Sequence, residues 1–97
     1  MIFGNFKTYE VTVTNTGHSE LDLSNVVGSE YEIRIQPGAD KVRVLFTPAS
    51  SVTIATVTDF LLDEDTASVF EVGRGLNRIS LYNSSGGSVK VSIAVMF

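Results

Sequence analysis

The sequence predicts an all-β domain, a two-layer antiparallel β-sandwich or a jelly-roll-like arrangement of about seven or eight short strands. Three observations lead there. Apolar residues recur at every second position in segment after segment, as they do when a strand buries one face and wets the other. Clusters of Gly, Pro and Asn separate those segments. No window of about eleven residues carries the three- and four-residue apolar spacing of an amphipathic helix.

Taken in order, Tyr9, Val11 and Val13 alternate with Glu10, Thr12 and Thr14. A short strand is expected at Leu21–Leu23. Tyr31, Ile33 and Ile35 alternate with Glu30, Glu32 and Arg34, and Val42, Val44 and Phe46 with Lys41, Arg43 and Leu45. Further strands are expected at Val52–Val57, near Val69–Val72, at Asn77–Asn83 and at Ser88–Phe97, with a single helical turn at Asp63–Ala67. The last strand has the plainest pattern: Val89, Val91, Ile93, Val95 and Phe97 on one face, Lys90, Ser92, Ala94 and Met96 on the other. Its second face turns apolar toward the C-terminus, which predicts a strand central in its sheet or covered by another chain. Asn15-Thr16-Gly17, Pro37-Gly38-Ala39-Asp40, Thr47-Pro48, Gly73-Arg74-Gly75 and Ser84-Ser85-Gly86-Gly87 supply the turns.

A chain of 97 residues suits one domain, 1–97, because two independent cores do not fit in that length. Residues 1–8, with Ile2, Phe3 and Phe6, suit an extended N-terminal arm. The composition, 43% hydrophobic and 19% charged, excludes wholesale disorder and leaves apolar surface for neighbouring subunits. Cysteine is absent, so neither a disulfide framework nor a thiolate metal site is available. A net charge of −4 and scattered basic residues argue against nucleic acid as a partner. The N-terminus lacks a basic region followed by an apolar core, and no apolar run nears the ~20 residues of a membrane helix. The expectation is therefore a protein made in the cytoplasm, with no membrane partner.

Candidate chemistry is sparse. His18, the one histidine, falls in the expected Gly17–Glu20 turn with no second His and no nucleophile motif beside it. Asp59, Asp63, Glu64 and Asp65 gather oxygen ligands of the kind a hard cation takes, but without the EF-hand spacing or its glycine. The dominant reading is a solvated acidic loop. Asn83-Ser84-Ser85 fits a glycosylation pattern, and without a secretory signal it reads as a hairpin turn. Gly73-Arg74-Gly75 is not a phosphate loop, since its second glycine comes too soon and no Lys-Ser/Thr follows. It reads as a turn that exposes Arg74 to an intersubunit carboxylate. No catalytic, cofactor-binding or metal-binding residue is assigned, and no cofactor is expected. A carbohydrate-binding module would need outward aromatics as a stacking platform. Trp is absent, Tyr9 and Tyr31 fall on the predicted core face, and Tyr82 alone lies opposite Ile79 and Leu81.

The apolar run Phe60-Leu61-Leu62 exceeds what one strand edge buries against its own core, and the chain stays apolar through Met96-Phe97, where ends are usually polar. These residues and Arg74 form the candidate interface: Phe60, Leu61, Leu62, Arg74, Met96 and Phe97.

From about Val52 to Phe97 the chain resembles small β-rich structural proteins of tailed bacteriophages. The pattern is Ser51-Val52-Thr53-Ile54-Ala55, Asp59-Phe60-Leu61-Leu62, Ser68-Val69-Phe70-Glu71-Val72-Gly73, Asn77-Arg78-Ile79-Ser80-Leu81-Tyr82-Asn83, a Gly-rich hairpin and a Val/Ile-alternating last strand. The resemblance implies a non-enzymatic virion protein. The expected role is a capsid decoration or cement subunit, with a tail or baseplate accessory protein or a head fibre as the alternative. It also implies a homo-oligomer, commonly a trimer, with the major capsid or tail protein as partner and the virion as its location.

Overall fold

Every strand of the molecule is antiparallel to its neighbours. The computed structural model describes residues 3–97 and contains eight strands there: β1 (Phe6–Val13), β2 (His18–Asp22), β3 (Glu30–Pro37), β4 (Val42–Thr47), β5 (Phe60–Leu62), β6 (Ser68–Gly73), β7 (Arg78–Tyr82) and β8 (Val89–Met96). They form two four-stranded sheets, β1-β8-β3-β6 and β2-β7-β4-β5.

The pairing has a simple logic. Strands β1 and β8, β2 and β7, β3 and β6, and β4 and β5 pair as if one long hairpin ran the length of the chain. The β3–β8 and β4–β7 pairs then wrap that hairpin into two facing layers, which is the jelly-roll topology. The sandwich expected from the alternation is present, and its strand order selects the jelly-roll form.

The period of two decides which side chains meet. Val89, Val91, Ile93 and Val95 of β8, Tyr31, Ile33 and Ile35 of β3, and Val13 of β1 face inward from the first sheet. Ile79 and Leu81 of β7, Val42 and Val44 of β4 and Leu62 of β5 meet them from the second. All are buried. At roughly 25 cal/mol for each Å² of apolar surface removed from water, this layer is the main stabilising term. The Tyr31 hydroxyl donates to the Val26 carbonyl at 2.9 Å, so the largest core side chain buries its polar tip satisfied.

Several expected elements differ. Val52–Val57 is not a strand. Residues 48–59 form one long β4–β5 connection that straps the outer face of the second sheet. Ala55 is buried there, and its N–H donates to the Ser80 Oγ at 2.8 Å rather than to a strand backbone. The Arg78 guanidinium donates to the Thr53 carbonyl at 2.6 Å, and the Ala49 N–H to the Asn77 Oδ1 at 2.7 Å. The alternation of Val52–Val57 lacks a ladder because side chains of β7 and its preceding turn take its backbone groups. Asp63–Ala67 is a turn, not a helical turn. Phe6, Lys7 and Thr8 of the expected N-terminal arm belong to β1, which pairs with β8 from Phe6↔Met96 to Val13↔Val89. Ile2, the other part of that arm, lies outside the described residues.

The β1–β2 turn has an unusual backbone. The Gly17 N–H donates to the Thr14 carbonyl at 3.0 Å, and the positive φ of the turn falls on Thr16, at 50°. Gly17 does not serve to reach the left-handed region. A Cβ there would press on the Thr14 hydroxyl and its carbonyl oxygen, so Thr14 would have to turn aside to admit one.

Candidate interaction surface

On the second sheet, odd-numbered residues of β7 point inward, so Arg78, Ser80 and Tyr82 project outward beside Asp22, Glu20 and His18 of β2. His18 therefore opens a strand rather than sitting in a turn, and it has a partner. Its Nδ1 lies 2.8 Å from the Glu20 Oε2. The same oxygen accepts the Ser80 hydroxyl at 3.2 Å, and Arg78 Nη2 is 3.6 Å from the other. In the sequence the one signal for Glu20 is its two-residue spacing from His18, which puts both side chains on one strand face. The group holds Ser, Glu and His, yet it lacks the geometry of nucleophilic catalysis. The Ser80 hydroxyl is fully buried under the strap and bonds the carboxylate, not the imidazole. What the arrangement does is clamp residues 48–59 to the sheet. Tyr82 lies half-buried on this outer face, as its register predicts.

Asp59 separates from the acidic loop: its Oδ2 accepts the Thr56 N–H at 2.7 Å and closes the strap. Asp63 pairs loosely with Lys41 at 3.8 Å. Glu64 and Asp65 are exposed, and among the described residues no three His, Asp or Glu side chains converge as a cation site. Asn83 is fully buried, with its amide committed to the backbone, so it offers no room for a glycan.

The candidate interface residues separate into two groups. Leu62 is 1% exposed and belongs to the core, because it sits on the inner side of β5 opposite Val42. Phe97 is likewise engaged. Its backbone exchanges hydrogen bonds with Asn5 at 2.9 and 3.0 Å, and its ring packs against the core. The hydrophobic chain end is thus explained mostly from within, since β8 is central in its sheet between β1 and β3. Met96 is half-buried on the outer face, between Phe6 and Glu32.

Phe60 and Leu61 remain exposed, at 64% and 40%. They lie on β5, the edge of the second sheet, and the Phe60 ring stands edge-on to Phe70 of β6 at 6.0 Å. Phe70 in turn meets Phe46 at 5.0 Å. Val69, next to Phe70 and facing outward, is 49% exposed. Val69 looks out of the first sheet opposite Arg34, and Leu61 out of the second opposite Arg43, so the two flank the β5/β6 edge on opposite faces of the sandwich. The alternation of β6 alone could not reveal that this strand lies at a border. Arg74 follows β6 in an exposed turn and makes no ion pair among the described residues.

The outer face of the first sheet carries a shallow hollow of about 400 Å³ above Ser92 and Ala94, walled by Thr8, Glu10 and Arg34. It exists because the central strand has small side chains there between longer ones. Its one aromatic lining residue, Tyr9, belongs to the inward-facing register of β1, so its ring does not stand on the outward wall as a stacking surface for a sugar.

No known protein-family model matches the chain, and no curated protein matches it in sequence.

Proposed function

We propose that this domain is a non-enzymatic structural subunit of a larger assembly, the particle of a tailed bacteriophage, where it decorates and stabilises the capsid as a homo-oligomer, with a trimer expected. The observation that carries the assembly reading is the β5/β6 edge, where Phe60 and Leu61 of β5 stand exposed and Val69 of β6 is exposed on the outer face of the other sheet. The resemblance of Val52–Phe97 to phage structural proteins supplies the choice of particle.

The mechanism is burial of area. A subunit contact of standard size removes about 800 Å² per partner from water, and its apolar centre supplies most of the affinity. Each bound copy stabilises the assembled lattice and leaves the dissociated pieces unaffected.

Size-exclusion chromatography with light scattering at micromolar concentration tests the oligomer. The expected species is a trimer, and the double variant Phe60→Ser, Leu61→Ser is expected to dissociate while keeping its β-sheet circular dichroism. A wild-type chain that runs at its monomer mass of 10.5 kDa overturns the oligomer. Cryo-electron microscopy of the parent particle tests the location: density for this fold on the outer capsid lattice supports decoration, and its absence there overturns it.

A further inference from the structure

The two sheets have four edge strands, and three are poor templates for another chain. Strand β5 is three residues long and β2 five. Strand β1 is longer, but Lys7 falls in its inward-facing register opposite Val95, and an inward-pointing charge discourages edge pairing. Strand β6 has six residues, Ser-Val-Phe-Glu-Val-Gly, with no lysine and no proline. It is the unguarded edge.

Its free hydrogen-bonding groups are identifiable. The Arg74 N–H donates to the Ser29 carbonyl at 3.1 Å, one step beyond the Glu30↔Gly73 pair. Directly opposite residues alternate between hydrogen-bonded and non-bonded pairs in an antiparallel ladder. Ser68, Phe70 and Val72 therefore bond toward β3, and Val69 and Glu71 aim their N–H and C=O groups outward.

The charge nearest Glu71 is acidic, although Arg34 stands opposite Val69 two residues along the same face. Glu71 lies opposite Glu32 on the outer face, a like-charge pair that costs stability, and neither has an ion-pair partner among the described residues. Glu30 follows on the same face of β3, and Glu30, Glu71, Val72 and Gly73 line a second hollow of about 250 Å³. Pairing β6 with β6 of a second copy would gather four glutamates on one surface. Complementarity favours a cation there instead.

We propose that β6 accepts an extended segment of a partner protein as a fifth strand of the first sheet, with Lys or Arg placed beside Glu71 and apolar residues on the inward side. The new row across the sheet reads Met96, Glu32, Glu71, cation. The inward residues cover Phe70 from the open side of β6, leaving Phe60 and Leu61 of β5 to the subunit contact. This deepens the assembly reading and rests on it, because it names the chemistry of the contacting segment.

The test uses the full chain, isotope-labelled, with the peptide acetyl-Thr-Val-Lys-Val-Lys-Val-Thr-amide as probe. The expected result is slowed hydrogen exchange at the Val69 and Glu71 amides, affinity that falls with salt, and weakening by about fivefold or more in Glu71→Lys. Glu71→Lys is expected to prefer the same peptide with Glu in place of Lys. Unprotected Val69 and Glu71 amides at about 1 mM probe overturn the proposal, as does equal binding by wild type and Glu71→Lys. Protection that rises with protein concentration without the probe assigns the edge to a second copy and also overturns it. Mass reports the trimer and amide protection reports the strand, so either reading can fail while the other stands.

Discussion

Replacing Asn83 with alanine should destabilise the domain by about 3 kcal/mol, because one buried amide holds two turns together. Its Nδ2 donates to the carbonyls of Val13 at 3.1 Å, Thr14 at 3.2 Å and Gly87 at 2.7 Å, and its Oδ1 accepts the Ser85 N–H at 2.8 Å. The first two partners end β1 and enter the β1–β2 turn; the last two belong to the β7–β8 hairpin. Two amide hydrogens serve three carbonyls, so the bonds are shared and do not count at full value. The Val13 carbonyl is the costly loss. It lies in the core and keeps its ladder bond from the Val89 N–H, so what it loses is a second, buried hydrogen bond worth about 1.5 kcal/mol. Thr14, Ser85 and Gly87 sit nearer solvent and recover part of their bonding with water, for about 0.5 kcal/mol each. The Asn83 N–H to the Gly17 carbonyl, at 2.9 Å, survives the substitution. Urea unfolding followed by far-ultraviolet circular dichroism measures the change, and Tm is expected to fall by about 12 °C or more. A loss below about 1 kcal/mol would refute the reasoning, because the turns would then be held by something other than this side chain.

Two further outcomes follow from local geometry. Asp22 accepts the Ser24 N–H at 2.8 Å; that bond, with help from the Ser24 hydroxyl and Arg78, holds its carboxyl below the ordinary carboxylate value, against a weak opposing push from burial. A depressed folded-state pKa stabilises above the unfolded value and loses that stabilisation as pH falls through the folded one. Asp22→Asn should therefore flatten the dependence of stability on pH below about pH 4, and an unchanged acid slope in urea titrations counts against the assignment. Thr16→Asn should stabilise by about 0.5–1 kcal/mol, because Asn tolerates the left-handed backbone at φ 50° and a β-branched residue does not. Differential scanning calorimetry reads it, and a lower Tm contradicts the account.

The candidate surface was partly legible. Phe60 and Leu61 stand exposed as their excess over a single buried face suggests, while Leu62 and Phe97 pack inside. An apolar triplet cannot say which of its members turns inward; the β4–β5 register does. His18 reads as partnerless when placed in a turn; Glu20 comes beside it because both lie on β2, and Ser80 reaches Glu20 only when β2 pairs with β7.

Alternation of apolar and polar residues determined by itself that this chain forms strands, where most of them lie, and which faces they bury, because a strand's side chains change sides at every residue. Turn residues determined most of the breaks. Only the tertiary structure decided the strand order, the fate of residues 48–59 as a strap, and the exposure of β6 as a free edge. Those properties depend on which backbone groups find partners far away in the chain, from Phe6 with Met96 to Val44 with Phe60. A local pattern carries the preference for a face, but hydrogen-bond partners are chosen by the whole fold.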